Sequence, residues 1–302
     1  MLTHTVESYL AVRSACGFKL KSIGSLLRSY AIYSEKRGKT HICSDIAIEW
    51  AGLAQTVHTR AQRLGHVIRF ARYARAEDQS HELPPPVFGS AWKQRPTPYI
   101  FSQEEIQSLV KTVSQSGYRT LRRQTYATLF SLLACTGLRV SEAIRLRFED
   151  ITLDGLIIRV SKFRKSRLVP LHETAEMGLE YYLKLRRPYA PFDDHLFISL
   201  RRKPLRIEDV DTTFKAAVCK IGLKRGPGLP RPTPHSLRHT FAVRALETCP
   251  DCRDLITKHM LALSTYLGHS SVSYTYWYLE ATPHLMRKIA ESSESFVRGG
   301  RP

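Results

Sequence analysis

The stretch TPHSLRHTFAVRAL, residues 233–246, carries the sharpest chemical signal in this sequence. Thr233 and Pro234 mark a helix start, as N-cap and first helical residue. His235 and Arg238 then fall three apart on one face of the first turn. Unpaired backbone N–H groups and the positive end of the helix dipole lie beside them, a setting suited to a phosphate. The stretch contains no acid to turn the two into a simple ion bridge, although capping is an alternative use for both side chains.

Three other stretches carry weaker signals. In TGLRVSEAIRL (136–146), Gly137 ends an apolar helix, Arg139 sits in the turn, and Ser141 with Glu142 starts the next helix. A guanidinium fork held in such a turn can face a phosphate, though a lone arginine there is more often structural. In VSKFRKSRLVPL (160–171), Lys162, Arg164, Lys165 and Arg167 crowd a hairpin turn. That turn is either simply solvated or reaches into a groove, setting an ammonium beside a leaving oxygen. In YLGHSSVSYTYWYLEATP (266–283), Gly268 ends a helix, His269 follows in the turn, and Ser271 caps a short helix bearing Tyr274, Tyr276 and Tyr278. Alone, those aromatics read as packing; beside the other three stretches they become informative.

Composition sets the class of partner. The chain has 46 Lys and Arg against 27 Asp and Glu, a formal charge of +19. Such an excess points to a polyanion, since each cation placed on a phosphate releases condensed counterions. Nucleic acid is the expected partner, ahead of an anionic membrane surface. No apolar run approaches the roughly 18 residues of a membrane span, and MLTHTVESYL lacks the layout of a signal peptide. Six scattered cysteines do not form a disulfide framework. The expected location is the cytoplasm.

These groups need a scaffold to position them. HELPPPVFGSAWKQRPTPY, residues 81–99, holds five prolines and reads as a linker between two basic parts. Residues 1–80 read as all-helical, with Val6, Tyr9 and Leu10, then Leu26, Leu27, Tyr30 and Tyr33, at helical spacing. Ser44 and Asp45 are placed to cap a third helix. A fourth sets the apolar stripe Leu64, Val67, Ile68 and Ala71 against Arg60, Arg63, Arg69, Arg72 and Arg75. With the global charge excess, that arginine face is expected on DNA rather than merely solvated. Beyond the linker, Ser102 and Glu105 form a capping box, and RTLRRQTYATLFSLLACTG is a helix stopped by Gly137. GLIIRV (155–160) and RLVPL (167–171) pair as a hairpin, HLFISL (195–200) offers a third strand, and the rest is helical.

In this order, Arg, Lys, His-x-x-Arg, His and Tyr, the sequence resembles the tyrosine recombinase (phage integrase) family. The resemblance rests on TGLRVSE, the VSKFRKSRLVPL hairpin, TPHSLRHTFA, LGHSS and a tyrosine nine residues after that last histidine. It covers about 98–290 and, more loosely, the helical part before. It implies a mainly α fold with a small antiparallel β-sheet. The parts would be a helical core-binding domain (1–80), the Pro-rich linker (81–99) and a mixed α+β catalytic domain (100–302). Arg139 and Arg238 become the arginine clamp, Lys162 the hairpin lysine, His235 and His269 the two histidines, Tyr278 the nucleophile, and Glu142 the auxiliary acid. Lys165 rivals Lys162 and otherwise joins Arg167, Arg60, Arg63, Arg69 and Arg72 as DNA contacts. Ser161 stands where relatives often carry Gly. Cys249 and Cys252 fall in an extra stretch between Arg238 and His269, where a zinc site with His259 is the weaker reading beside an ordinary helix connection.

The implied chemistry is coherent. Two guanidiniums stabilise charge building on the non-bridging oxygens of a phosphodiester. A phenol of pKa near 10 needs its proton removed to attack, a task that falls to His235, while Lys162 protonates the departing 5′ oxygen. With the arginines stabilising the phosphate charge no divalent metal is expected, and because the 3′-phosphotyrosine conserves bond energy no ATP or other cofactor is expected either. The implied partner is double-stranded DNA, bound by a homotetramer when synapsed, with accessory recombinases left open. The implied activity is site-specific recombination or integration for a mobile element. A type IB topoisomerase or a non-catalytic DNA-binding accessory protein would account for parts of the pattern. The segment 281–297, with Leu285, Ile289 and Phe296 near one helical face, would dock either on a neighbouring protomer or back on its own domain.

Overall fold

Apolar residues at helical spacing build most of both halves of the chain. The computed structural model describes residues 1–18, 20–89, 97–159, 166–223, 230–248, 253–269 and 271–280. The chain divides into two compact units, Met1–Arg95 and Pro96–Pro302. The first holds α1 (Leu2–Ala15), α2 (Lys21–Glu35), α3 (Ser44–Gly52) and α4 (Val57–Glu77). Leu2, Val6, Leu27, Tyr30, Trp50, Leu64, Val67 and Phe70 meet in its core. Thr56 caps α4, its hydroxyl accepting from Thr59 N at 3.2 Å.

The expected linker departs from its reading at its start. His81 is 5% exposed and its Nδ1 accepts the Ile42 amide at 3.0 Å. Glu82 takes the Ser44 amide at 2.7 Å, so the first N–H of α3 is satisfied from outside the helix. Phe88 packs on the bundle core. Residues 81–88 are therefore part of the first unit, tied by partners some forty positions away.

The second unit is built around α6 (Thr120–Thr136), flanked by α5 (Gln103–Ser114), α8 (Glu173–Arg186) and α10 (Pro234–Glu247), with α7 (Val140–Ala143) after it. Leu129, Phe130 and Leu133 of α6 are fully buried, with Phe214 of α9 (Ile207–Lys220) among the same core residues. The sheet has three antiparallel strands in order, β1 (Ile151–Thr152), β2 (Gly155–Ile158) and β3 (Arg167–Val169), with Leu156 opposite Val169. Residues 195–200 do not supply its third strand. The His195 and Leu196 carbonyls go to the buried Arg186 guanidinium and the Tyr182 hydroxyl, and only isolated bridges remain to Arg147 and Pro204. Side chains thus take the acceptors a strand neighbour would use.

α10, α11 (Arg253–Leu267) and α12 (Ser273–Glu280) form a smaller cluster, in which Val243, Leu246, Met260, Leu263, Leu267 and Tyr278 are buried together. α6 ends at Gly137 with φ +61°, and a Cβ there would lie 2.5 Å from Phe241 Cδ1 of α10. Glycine is thus required twice at this corner, for the left-handed turn and for the close approach. No described helix is long and apolar enough to cross a membrane.

Candidate active site

Three arginines from distant parts of the sequence converge on one helix end. At the C-terminus of α11, the Gly268 and His269 amides return to Thr265 O and Ser264 O. The Tyr266, Leu267 and Gly268 carbonyls are left at the negative end of the helix dipole. Arg167 Nε takes Tyr266 O at 2.7 Å, Arg238 Nη2 takes Leu267 O at 2.7 Å, and Arg139 Nη2 takes Gly268 O at 3.2 Å. Gly268 has φ +65°, and a Cβ on it would fall 2.8 Å from Arg167 Nη1. This arrangement sets the turn that carries His269.

Arg238 is 2% exposed and also donates to Gly137 O at 2.7 Å, bridging the turn before Arg139 to the turn before His269. Burial and the nearby Arg139 charge pull its pKa down to about 10, with Tyr278 and Glu142 acting the other way. It stays a cation at neutral pH. A guanidinium has five N–H donors; among the described residues Arg238 commits one to Gly137 O and one to Leu267 O, and Arg139 one to Gly268 O and one to Glu142.

Glu142 holds the cluster from beneath. Its carboxylate accepts from Arg139 N and Nη1 at 3.0 and 2.7 Å, and from Arg167 Nη1 and Nη2 at 3.2 and 2.9 Å. Burial opposes ionisation, but the two guanidiniums prevail and bring its pKa down to about 2. Arg167, expected on DNA, is instead turned into the protein, its side chain 11% exposed. Glu142→Gln leaves both cations short of a counter-charge, a loss of about 3–5 kcal/mol for breaking a buried pair. Calorimetry at pH 7 is expected to show the unfolding transition of the second unit lowered by about 6–20 °C. The folded carboxylate titrates below its ordinary value of 4.5. Its stabilisation is therefore fully present above that value and fades as pH falls toward about 2, and the gap between variant and wild type should narrow over that window. A gap unchanged at low pH would contradict the pairing.

His235 stands at the start of α10, where Thr233 is the N-cap and Ser236 Oγ accepts the Thr233 amide at 3.1 Å. The protein packed around it, with the Arg238 and Arg139 charges, lowers its pKa to about 4, so it is neutral at pH 7 although one side of the residue stays exposed. His269 Nδ1 lies 2.8 Å from Thr275 Oγ1. Tyr278 is 3% exposed, its ring stacked on His269 at 6.2 Å and its hydroxyl 3.2 Å from Nδ1 of His239. The structure thus brings Arg139, Glu142, His235, Arg238, His269 and Tyr278 together.

Lys162, Lys165, Cys249 and Cys252 lie outside the described residues, as does the tail from 281. The ring of His259 meets Ala245 O at 2.6 Å. In the first unit, Arg69 and Arg72 are exposed on α4. Arg60 instead donates to Ala54 O at 2.8 Å, and Arg63 lies over the Trp50 ring at 5.3 Å. A cleft of about 440 Å³ borders Arg139 and is lined by Arg145, Arg147 and Arg159, with none of His235, Arg238, His269 or Tyr278 in its wall. The sequence reading missed His239 and Thr275. His239 had a signal, its place one helical turn after His235; Thr275 had none.

The pattern of the phage integrase family matches residues 100–284. An integrase/recombinase of Sinorhizobium fredii, y4rB, is 36% identical over 96% of this chain and 96% of its own length. The tyrosine recombinase XerD of Staphylococcus saprophyticus is 28% identical, covering 94% of this chain and 96% of that protein. Among solved structures, the XerH site-specific recombinase in a post-cleavage complex with difH substrate superposes with a TM-score of 0.66. It is 18% identical, over 92% of this chain and 80% of that one.

Proposed function

The chain belongs to the phage integrase family of tyrosine recombinases, enzymes that cut and rejoin DNA strands, and from that premise we propose how its own residues do so. The substrate is double-stranded DNA, with the scissile phosphate held by guanidinium N–H donors of Arg139 and Arg238 beyond those bound to Gly137, Gly268, Leu267 and Glu142. His235 and His269 add hydrogen bonds to its oxygens. Charge grows on those oxygens as phosphorus is attacked, and fixed donors that need no reorganisation stabilise that state more than the ground state. Tyr278 attacks, Lys162 protonates the leaving 5′ oxygen, and the 3′-phosphotyrosine waits for a 5′ hydroxyl from another strand. Arg69 and Arg72 on α4 contact phosphates without reading sequence. Four protomers join two duplexes, and the element served is a mobile one.

The observation that carries this reading is the meeting of Arg139 and Arg238 at the turn of His269, with Tyr278 close enough to act on the Arg238 charge. The test uses the full chain and plasmids bearing the DNA that flanks its gene. Trapping with detergent should yield DNA linked through a 3′ phosphate to a peptide containing Tyr278. Two such plasmids should yield recombinant joints. Relaxed plasmid without joints would support a topoisomerase instead, and binding without adducts an accessory protein.

A further inference from the structure

None of the motifs assigns a role to His239, yet this residue meets the Tyr278 hydroxyl at 3.2 Å through Nδ1. Its ring lies 4.5 Å from that of His235 on the same helix, 5.1 Å from Trp277 and 5.5 Å from Tyr278 on α12. Rings on several sides fix the direction in which Nδ1 points. We propose that His239 receives the proton of Tyr278 as that tyrosine attacks phosphorus, an inference that rests on Tyr278 being the nucleophile.

In the tautomer with the proton on Nε2, Nδ1 presents a lone pair to Oη. The Oη–P bond forms as the P–O5′ bond breaks, and the Oη proton passes to Nδ1, leaving His239 an imidazolium. The departing 5′ oxygen takes its own proton from the Lys162 ammonium. Rejoining runs the same transfers backwards, and His239 returns the proton to Oη. His235 suits this task less well. Its surroundings, with Arg238 and Arg139, hold it near a pKa of 4, which makes it a weak base better used as a neutral hydrogen-bonding group. Among the described residues, His235 from its own helix and Tyr278 from α12 are titratable groups that face His239, with Arg238 next to it in sequence.

The test compares rates of covalent adduct formation on a labelled duplex, taken from the flanks of the gene, to which the wild type attaches. His239→Ala should slow attachment by about 100-fold or more at pH 7, the scale of general base catalysis. The deficit should shrink as pH rises toward the phenol range near 10, where hydroxide takes over the proton. His239→Asn sets an amide oxygen near the place of Nδ1, so it accepts the hydrogen bond but cannot take the proton, and it should stay slow at pH 7. Gel-shift affinity for the same duplex should match the wild type in both variants. Wild-type rates in both variants, full recovery with Asn at pH 7, or a deficit that does not change with pH would each overturn the proposal. Tyr278→Phe on this duplex tests the underlying reading separately. Adducts that persist there remove the nucleophile itself, whereas their loss there beside unimpaired His239 variants removes only the proton transfer.

Discussion

Phenylalanine at position 278 is expected to end covalent attachment to DNA, with the adduct falling by at least about 10³-fold, while DNA affinity stays within about twofold. The change removes one oxygen atom. The ring is 3% exposed, packed with Val243, Leu246, Met260 and Leu263, and those contacts survive. The hydrogen bond with His239 is lost, a loss of about 1 kcal/mol, too little to unfold the unit. Phosphate-binding arginines are untouched, so binding persists. Tyr274→Phe and Tyr276→Phe serve as comparators on the same helix. Both side chains are exposed, at 40% and 54%, and both variants should form adducts at the wild-type rate. An adduct that persists in Tyr278→Phe but disappears in Tyr274→Phe would move the nucleophile to Tyr274, whose ring meets that of His269 edge-on.

What the sequence made legible is what local chemistry determines. Ser102 and Glu105 exchange their capping hydrogen bonds as the spacing implies, because a capping box needs only four consecutive residues. Gly137 closes α6 in the left-handed conformation, and Thr233 with Pro234 opens α10. Gly155–Ile158 and Arg167–Val169, from the runs GLIIRV and RLVPL, pair antiparallel, as two short β-branched runs separated by a few polar residues imply. The candidate site residues are read by type and order, a pattern that does not require knowing which atoms touch, and the fold brings Arg139, Glu142, His235, Arg238, His269 and Tyr278 near one another.

Legibility failed where a residue's partner lies far along the chain. The sequence groups Arg167 with its basic neighbours in the hairpin turn, yet its guanidinium finds Tyr266 O and Glu142, 99 and 25 positions away. A cation's sequence neighbours say little about whether a buried carboxylate waits for it. The same holds for His195–Leu200, whose apolar, β-branched character reads as a strand until Arg186 and Tyr182 take its carbonyls. His81 and Phe88 look like linker because prolines surround them, while polyproline geometry is also a good way to lay a short segment along a bundle. His239 differs: its spacing from His235 is visible in the sequence, but its partner Tyr278 lies 39 positions on, and only the packing of α12 on α10 brings the two together.

Arg238→Lys separates catalysis from scaffold, and it is expected to damage both. The guanidinium reaches Gly137 O and Leu267 O with different nitrogens, each at 2.7 Å, while keeping further donors for the phosphate. An ammonium is a point donor on a single nitrogen and cannot span two carbonyls and an anion at once. Losing one charge-assisted bond to a buried carbonyl would cost about 1.5–3 kcal/mol, visible as a lower unfolding temperature. Losing a donor aimed at the developing charge should slow adduct formation by about 10²–10³-fold at saturating DNA. Arg139→Lys is the informative counterpart. Its side chain is 24% exposed and holds a single carbonyl at 3.2 Å beside its pairing with Glu142. The kinetic loss should be similar and the thermal loss smaller. If both arginines clamp the phosphate, the two variants share the rate defect and differ in stability. If Arg238→Lys melts early yet attaches to DNA within tenfold of wild type, then Arg238 braces the two turns and does not touch the reacting phosphate.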